Sequence, residues 1–215
     1  ITLTAASDTD NVNDSPTGSV TISGTSTEDQ VLTAANTLAD EDVLGSISYQ
    51  WKRAGTAISG ATSTTYTLTQ SDVGSAITVT ASYTDGQNTA ESSTSAATSS
   101  VANVNDAGTG LSLASDGTVA DPDEDDVLSV TGTLADEDGV TNAAPTYQWS
   151  RGSSAISGAT SSSYTLVQAD VGSIMSVVIT YTDDLSSSNT ITLTAASDTD
   201  NVNDSPTGSV TISGT

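Results

Sequence analysis

A run of small oxygen-bearing residues, Asn11-Val12-Asn13-Asp14-Ser15-Pro16, returns as Asn103-Val104-Asn105-Asp106 and again as Asn201-Val202-Asn203-Asp204-Ser205-Pro206. This repetition limits the fold more than any other feature, because it cuts the 215 residues into blocks of one small domain each. Asp14 and Asp106 are 92 positions apart, and Asp106 and Asp204 are 98 apart. Residues 1–25 are also identical to residues 191–215. The chain therefore reads as a window on an array of two related but non-identical modules. A last strand and linker cover 1–14, one module covers 15–106, a second covers 107–204, and 205–215 form the first strand of a following repeat. Strands at 1–7 and 207–213 are expected to lack their native partners within this chain, so the expected partners are neighbouring repeats of the same chain.

Within each block the apolar residues alternate with polar ones, the mark of half-buried strands. Ser19–Ser23, Gln30–Ala34, Ile47–Lys52, Ala57-Ile58, Thr65–Leu68, Ala76–Tyr83 and a segment near 90–98 read as strands in the first module. Asp85-Gly86 reads as a two-residue hairpin turn. No stretch carries a helical period. In the second module Trp149, Tyr164, Asp170 and Asp183 stand 98 positions after Trp51, Tyr66, Asp72 and Asp85, whereas Asp136 follows Asp40 by 96. The difference places an insertion within 114–126, in a loop, where a sandwich tolerates it. About seven short strands per block predict an all-β chain of tandem sandwiches, arranged as an extended rod.

Composition removes several functions. Against 3 basic residues stand 27 acidic ones, a net charge of −24. Such a chain does not bind nucleic acid, whose phosphates need Lys and Arg, and it is repelled by anionic membrane surfaces. There is no Cys and no His, so disulfides, thiolate chemistry and zinc-thiolate sites are excluded, together with the commonest general base. Aromatic residues make up 4% of the chain, too few for a sugar-stacking platform, and Trp51 and Trp149 read as core. No apolar run is long enough to span a bilayer, and no signal peptide is visible. Paired carboxylates on loop tips, with no aromatic-lined cleft, do not make a hydrolase. The acids are clustered, which points to neutralisation by bound cations.

At Tyr49-Gln50-Trp51, Gly60-Ala61-Thr62, Tyr66-Thr67-Leu68 and Asp72-Val73-Gly74 the chain resembles an immunoglobulin-like domain. The Trp falls where that family's third strand carries its core Trp, and Asp72-x-Gly74 at the turn before the sixth strand. The family's disulfide is missing, and Ala76 stands where its corner tyrosine would follow. The recurrence of Asn-Val-Asn-Asp, Leu-Ala-Asp-Glu-Asp, Gly-Ala-Thr-Ser and Tyr-Thr-Asp resembles the extender repeats of giant RTX-type adhesins of Gram-negative bacteria, across essentially the whole chain. The linker is also similar to the calcium-binding Asp-x-Asn-Asp-Asn junction of cadherins, with Asn11 and Ser15 replacing its first and last residues.

The immunoglobulin resemblance implies that the incoming linker, the loop after the second strand and the loop after the sixth strand share one end of a module. Calcium takes six to eight hard oxygens drawn from several such loops. The candidate ligands there are Asn11, Asn13, Asp14, Asp40, Asp42 and Asp85 in the first module, and Asn103, Asn105, Asp106, Asp136, Asp138 and Asp183 in the second. Glu28 and Glu124, at the opposite ends, would complete the outgoing linkers. Asp8 and Asp10 flank the first junction, and Asp198 and Asp200 flank the third, with Asn201, Asn203 and Asp204. The middle junction has Ser100 and Ala102 in the flanking places, and is expected to bind fewer ions or to draw more ligands from loops. Asp72 and Asp170 read as local turn residues.

The resemblance implies a structural role outside the cell: spacers in a cell-surface adhesin, anchored at the outer membrane through other regions and stiffened by calcium at the linkers so that a distal domain projects. Each module would add roughly 40 Å, from strands of six to eight residues at about 3.3 Å per residue plus loops. The alternative is a repeat that itself binds ligand, a glycan or ice through a Thr-rich face.

Overall fold

A computed structural model describes residues 13–203, and the contacts within it divide the chain into two units between Val104 and Asn105. In unit one the strands are β1 (Val20–Ser23), β2 (Val31–Asn36), β3 (Ser48–Arg53), β4 (Thr56–Ala57), β5 (Thr65–Thr67), β6 (Ile77–Thr84) and β7 (Ala90–Thr94). They form two antiparallel sheets, ordered β1-β2-β5 and β4-β3-β6-β7. Unit two repeats the plan with β8 (Thr109–Ser115), β9 (Val127–Ala135), β10 (Thr146–Arg151), β11 (Ser154–Ala155), β12 (Ser163–Thr165), β13 (Ile174–Thr182) and β14 (Ser188–Asp198), ordered β8-β9-β12 and β11-β10-β13-β14. The chain is all-β, and each unit is an immunoglobulin-like sandwich.

Period-two patterning builds the core. Ile77, Val79, Ala81 and Tyr83 face inward from β6, as Met175, Val177, Ile179 and Tyr181 do from β13, and all eight are buried. Opposite them, Leu32 of β2 and Leu128 of β9 are completely enclosed. Trp51 and Trp149 lie between the sheets without exposure. Each indole N–H donates to a backbone carbonyl, that of Ser63 or Ser161, at 2.9 Å. Each ring also stacks on a tyrosine of the facing sheet, Tyr66 or Tyr164, at 5.7 and 5.8 Å. The indoles thus do without the missing disulfide: their large apolar bodies fill the space, and their single polar atom is satisfied.

Two short 3-10 turns, Gln70–Asp72 and Gln168–Asp170, precede β6 and β13 where no helical period is present in the sequence. The aspartate that ends each turn explains them. Asp72 is fully buried and accepts from Arg53 Nε at 2.7 Å, Tyr66 Oη at 2.8 Å, and the Thr69 N–H and hydroxyl at 2.9 and 3.0 Å. Asp170 repeats this with Arg151 and Tyr164, but Val167 in place of Thr69 supplies only its N–H. Two of the three basic residues of the chain are held in these ion pairs. Burial would raise the Asp72 carboxyl, but donation from Arg53, Thr69 and Tyr66 outweighs it and holds the group below the usual carboxylate range. The reading of Asp72 and Asp170 as local turn residues is thus too narrow, since they also tie the turn to β3 or β10 and to β5 or β12.

The hairpin after β6 differs from the expected two-residue turn. Thr84 pairs with Ala90, so the loop runs over 85–89, and Asn88, not Gly86, takes the left-handed conformation at φ 65°. The Asp85 carboxylate causes this, accepting from the N–H groups of Gln87 and Thr89 at 2.8 and 2.7 Å and wrapping the loop around itself. In unit two the insertion lies in 116–126, between β8 and β9, and leaves the strands in phase.

Candidate functional site

The incoming segment, the loop after the second strand and the loop after the sixth meet at one end of each unit. In unit one the Asp14 N–H donates to Asp42 Oδ2 at 2.9 Å, and the Gly86 N–H to the Asp42 carbonyl at 2.8 Å. Asp40 fixes the loop between them: its Oδ1 accepts the Asp42 N–H, and its Oδ2 the Tyr83 hydroxyl. Burial first, and then the Asp40 carboxylate beside it, push the Tyr83 phenol well above its usual value. Unit two reproduces the arrangement. The Asp106 N–H donates to Asp138 Oδ2 at 3.2 Å, the Asp184 N–H to the Gly139 carbonyl at 3.0 Å, and Asp136 accepts from the Asp138 N–H and the Tyr181 hydroxyl.

Four aspartates are buried at these ends with little surface left: Asp42 at 6%, Asp85 at 6%, Asp138 at 3% and Asp183 at 5% exposed. Two of their oxygens, Asp85 Oδ2 and Asp138 Oδ1, are enclosed and accept no hydrogen bond. A buried carboxylate oxygen without a donor costs several kcal/mol unless a positive charge meets it. Near neighbours of the same sign raise that cost. The donors here are all oxygens, from carboxylates, amides and main chain, with no nitrogen or sulfur ligand, which is the chemistry of calcium. Among the described residues, neither unit contains three carboxylate oxygens within 4.8 Å of one another. An ion there would therefore share amide and backbone oxygens, or draw the loops in.

At the opposite end the outgoing segment adds a short parallel connection to each unit. Thr27 bridges Ala102 and Val73 bridges Val101, and in unit two Asp123 bridges Asp200 and Val171 bridges Thr199. Glu28 and Glu124 are both buried, and each donates its backbone N–H to this segment, at the carbonyl of Ala102 or Asp200. Glu28 Oε2 also accepts the Val104 N–H at 3.2 Å. Here the units differ. Gln168 Nε2 donates to Asn201 Oδ1 at 3.0 Å, whereas in unit one the corresponding Gln70 Oε1 and Asn103 Oδ1 are buried and accept nothing.

The remaining candidates divide as follows. Asp8, Asp10, Asn11 and Asp204 lie outside the described residues. Asn13 is exposed and gives its amide to Glu91. Asp198 ends β14 opposite Ile174 with its side chain in solvent, and the Asp200 side chain is exposed while its backbone is bonded to Pro122 and Glu124. Asn203 is exposed. Of the acids near Glu124, Asp126 folds back on its own loop, accepting the Asp123 N–H and the Ser115 hydroxyl. Sequence reasoning missed Glu91 and Asn189, which sit in strands and not in loops. Alternation along Ala90–Thr94, which puts Glu91 on the same face as Ser93, was the available signal.

No protein-family model matches the chain, and no curated protein matches it in sequence. Solved structures similar to it include three N-terminal domains of the bacteriophage RB49 highly immunogenic outer capsid protein, at 16% identity and a TM-score of 0.32, covering 86% of this chain and 59% of that one. A Ca2+-stabilized adhesin of an Antarctic bacterium that binds ice matches at 13% identity and a TM-score of 0.32, over 89% of this chain and 50% of that one. Fibronectin(III)-like modules of Clostridium thermocellum CbhA match at 12% identity and a TM-score of 0.27, over 84% and 94%. The chain thus spans about three fifths and one half of the first two.

Proposed function

We propose that this chain is a stretch of the extender region of a bacterial cell-surface adhesin of the RTX type, a non-enzymatic spacer that calcium stiffens at its linkers. The observation that carries the reading is the pair of enclosed carboxylate oxygens without a donor, Asp85 Oδ2 and Asp138 Oδ1, each in a loop packed beside the linker that enters its unit. Support also comes from the recurrence of Asn-Val-Asn-Asp with Leu-Ala-Asp-Glu-Asp in both modules, the wording of such extenders. The ligands would be Asp42, Asp85 and Asp14 or Asn13 in unit one, and Asp138, Asp183 and Asp106 or Asn105 in unit two. Glu28 and Glu124 would serve the outgoing linkers. Bound there, calcium supplies the positive charge these carboxylates lack and holds the linker to the loops, removing hinge freedom. Other regions would anchor the protein at the outer membrane, and a distal domain would carry the binding activity.

A ligand that binds only the folded state stabilises it by about 2.7 kcal/mol at a hundred times its Kd. Small-angle scattering and thermal unfolding of the chain, with calcium and then with excess chelator, test the proposal. Chelation should lower the unfolding temperature and shorten the maximum dimension. If the dimension is the same in both conditions, calcium is not a stiffener.

A further inference from the structure

The two incoming ends share their fold and their aspartates but differ at one position of the last strand. Glu91 of β7 lies directly across from Tyr83 of β6, on the sheet face that buries Tyr83 and Asp85. In β14 its counterpart is Asn189, directly across from Tyr181. The substitution changes what happens to the neighbouring aspartate. In unit two Asn189 Nδ2 donates to Asp183 Oδ2 at 2.8 Å, and the Ser187 N–H donates to Asp183 Oδ1 at 2.8 Å, so both oxygens of Asp183 have donors. Asn189 in turn accepts from the amide of Asn105 at 2.7 Å. In unit one Glu91 has no proton to give. Both loop N–H groups go to Asp85 Oδ1, and Asp85 Oδ2 stays enclosed with none.

Unit one therefore gathers Asp42, Asp85 and Glu91 where unit two has Asp138, Asp183 and a neutral amide that already occupies one aspartate oxygen. Resting on the calcium reading above, we propose that Glu91 is a calcium ligand, and that Asn189 makes the incoming end of unit two the weaker of two otherwise equivalent cation sites. Ligand charge count is a main determinant of calcium affinity, and an aspartate already holding two N–H donors loses them when it turns to an ion. Glu91 also borders an open recess of about 450 Å³ with Ser82, Tyr83 and Thr84, which leaves room for the waters a surface calcium keeps. The array would thus alternate tight and loose linkers, and over a range of calcium concentrations only one kind would be held.

The test is a calcium chloride titration of the whole 215-residue chain followed by amide NMR. Gln87 and Thr89 report unit one, and Ser187 and Asp183 report unit two. In the native sequence the unit-one signals should saturate at calcium levels about tenfold lower than those of unit two. Glu91→Gln should bring the unit-one midpoint up to that of unit two. Asn189→Glu should bring the unit-two midpoint down, and it decides the matter should Glu91→Gln fail to fold. If both sets respond to calcium with midpoints that neither substitution moves, the inference is overturned while the calcium reading stands. If neither set responds at any concentration, that reading falls and this inference with it.

Discussion

Replacing Asp72 by alanine removes four hydrogen bonds from a fully buried carboxylate, and the cost follows from what is left behind. Arg53 loses its 2.7 Å partner, Tyr66 and the Thr69 hydroxyl lose theirs, and the Thr69 N–H is stranded at the start of the turn. Breaking a buried ion pair costs about 3–5 kcal/mol. The Arg53 side chain is 32% exposed and can swing into water, so the lower end applies, about 3 kcal/mol. For a module of this size that corresponds to a fall of roughly 12–24 °C in Tm. Asp170→Ala should cost roughly 1 kcal/mol less, since Val167 offers no hydroxyl. Tryptophan fluorescence separates the two, because Trp51 and Trp149 lie in different cores; each variant would be read in a background with the other Trp changed to Phe, with chelator present. The acid limb gives a second reading. The Asp72 carboxyl is held below its unfolded value, so its contribution is present above about pH 4 and lost as pH falls through the folded value. The gap between native and Asp72→Ala proteins should therefore narrow in acid. A loss below about 1 kcal/mol at neutral pH, or a gap that acid does not change, would refute the account of this turn.

Two further outcomes are expected. Asp138→Asn should weaken calcium binding at unit two at least tenfold by calorimetry, because it removes one charge from the ligand set. It should leave the calcium-free stability unchanged or raised, because it relieves a buried oxygen that lacks a donor. The Tyr83 phenol is raised by burial and by Asp40, so its stabilising effect is complete below about pH 10 and is lost as pH climbs through the folded value. Tyr83→Phe, followed by alkaline unfolding, should flatten that limb for unit one while Tyr181 preserves it in unit two.

The strands were legible because burial on one face of a sheet leaves a period of two, and the inward residues of β6 and β13 keep it without interruption. The convergence of linker and loops was legible too, but only through the immunoglobulin order of strands, which brings Asp14 against Asp42 across 28 positions. What a single sequence conceals is how the neighbours divide a carboxylate's oxygens. Asp72 resembles any turn aspartate until the pairing of β3 with β6 and the turn before β6 bring Arg53 to it. Asp85-Gly86 has the composition of a tight turn, yet the side chain of Asp85 organises a longer loop and leaves Gly86 without a positive φ.

The same division separates residues that composition treats alike. Asp40 and Asp42 stand two apart in one acidic loop, and both are reasonable ligands by type. Asp40 has both oxygens engaged, by a backbone N–H and by a tyrosine buried in the core, so its first role is to anchor the loop to the sheet. Asp42 is more deeply buried and faces the linker, accepting the N–H of Asp14. Asp136 and Asp138 divide in the same way. A cation site at the end of a sandwich needs both kinds of aspartate, one tied to the rigid sheet and one presented to the ion. A loop held only by its own charges would spread apart whenever the ion left. The tyrosine of β6 or β13 is therefore as much a part of the candidate site as the acids, although it offers the ion nothing.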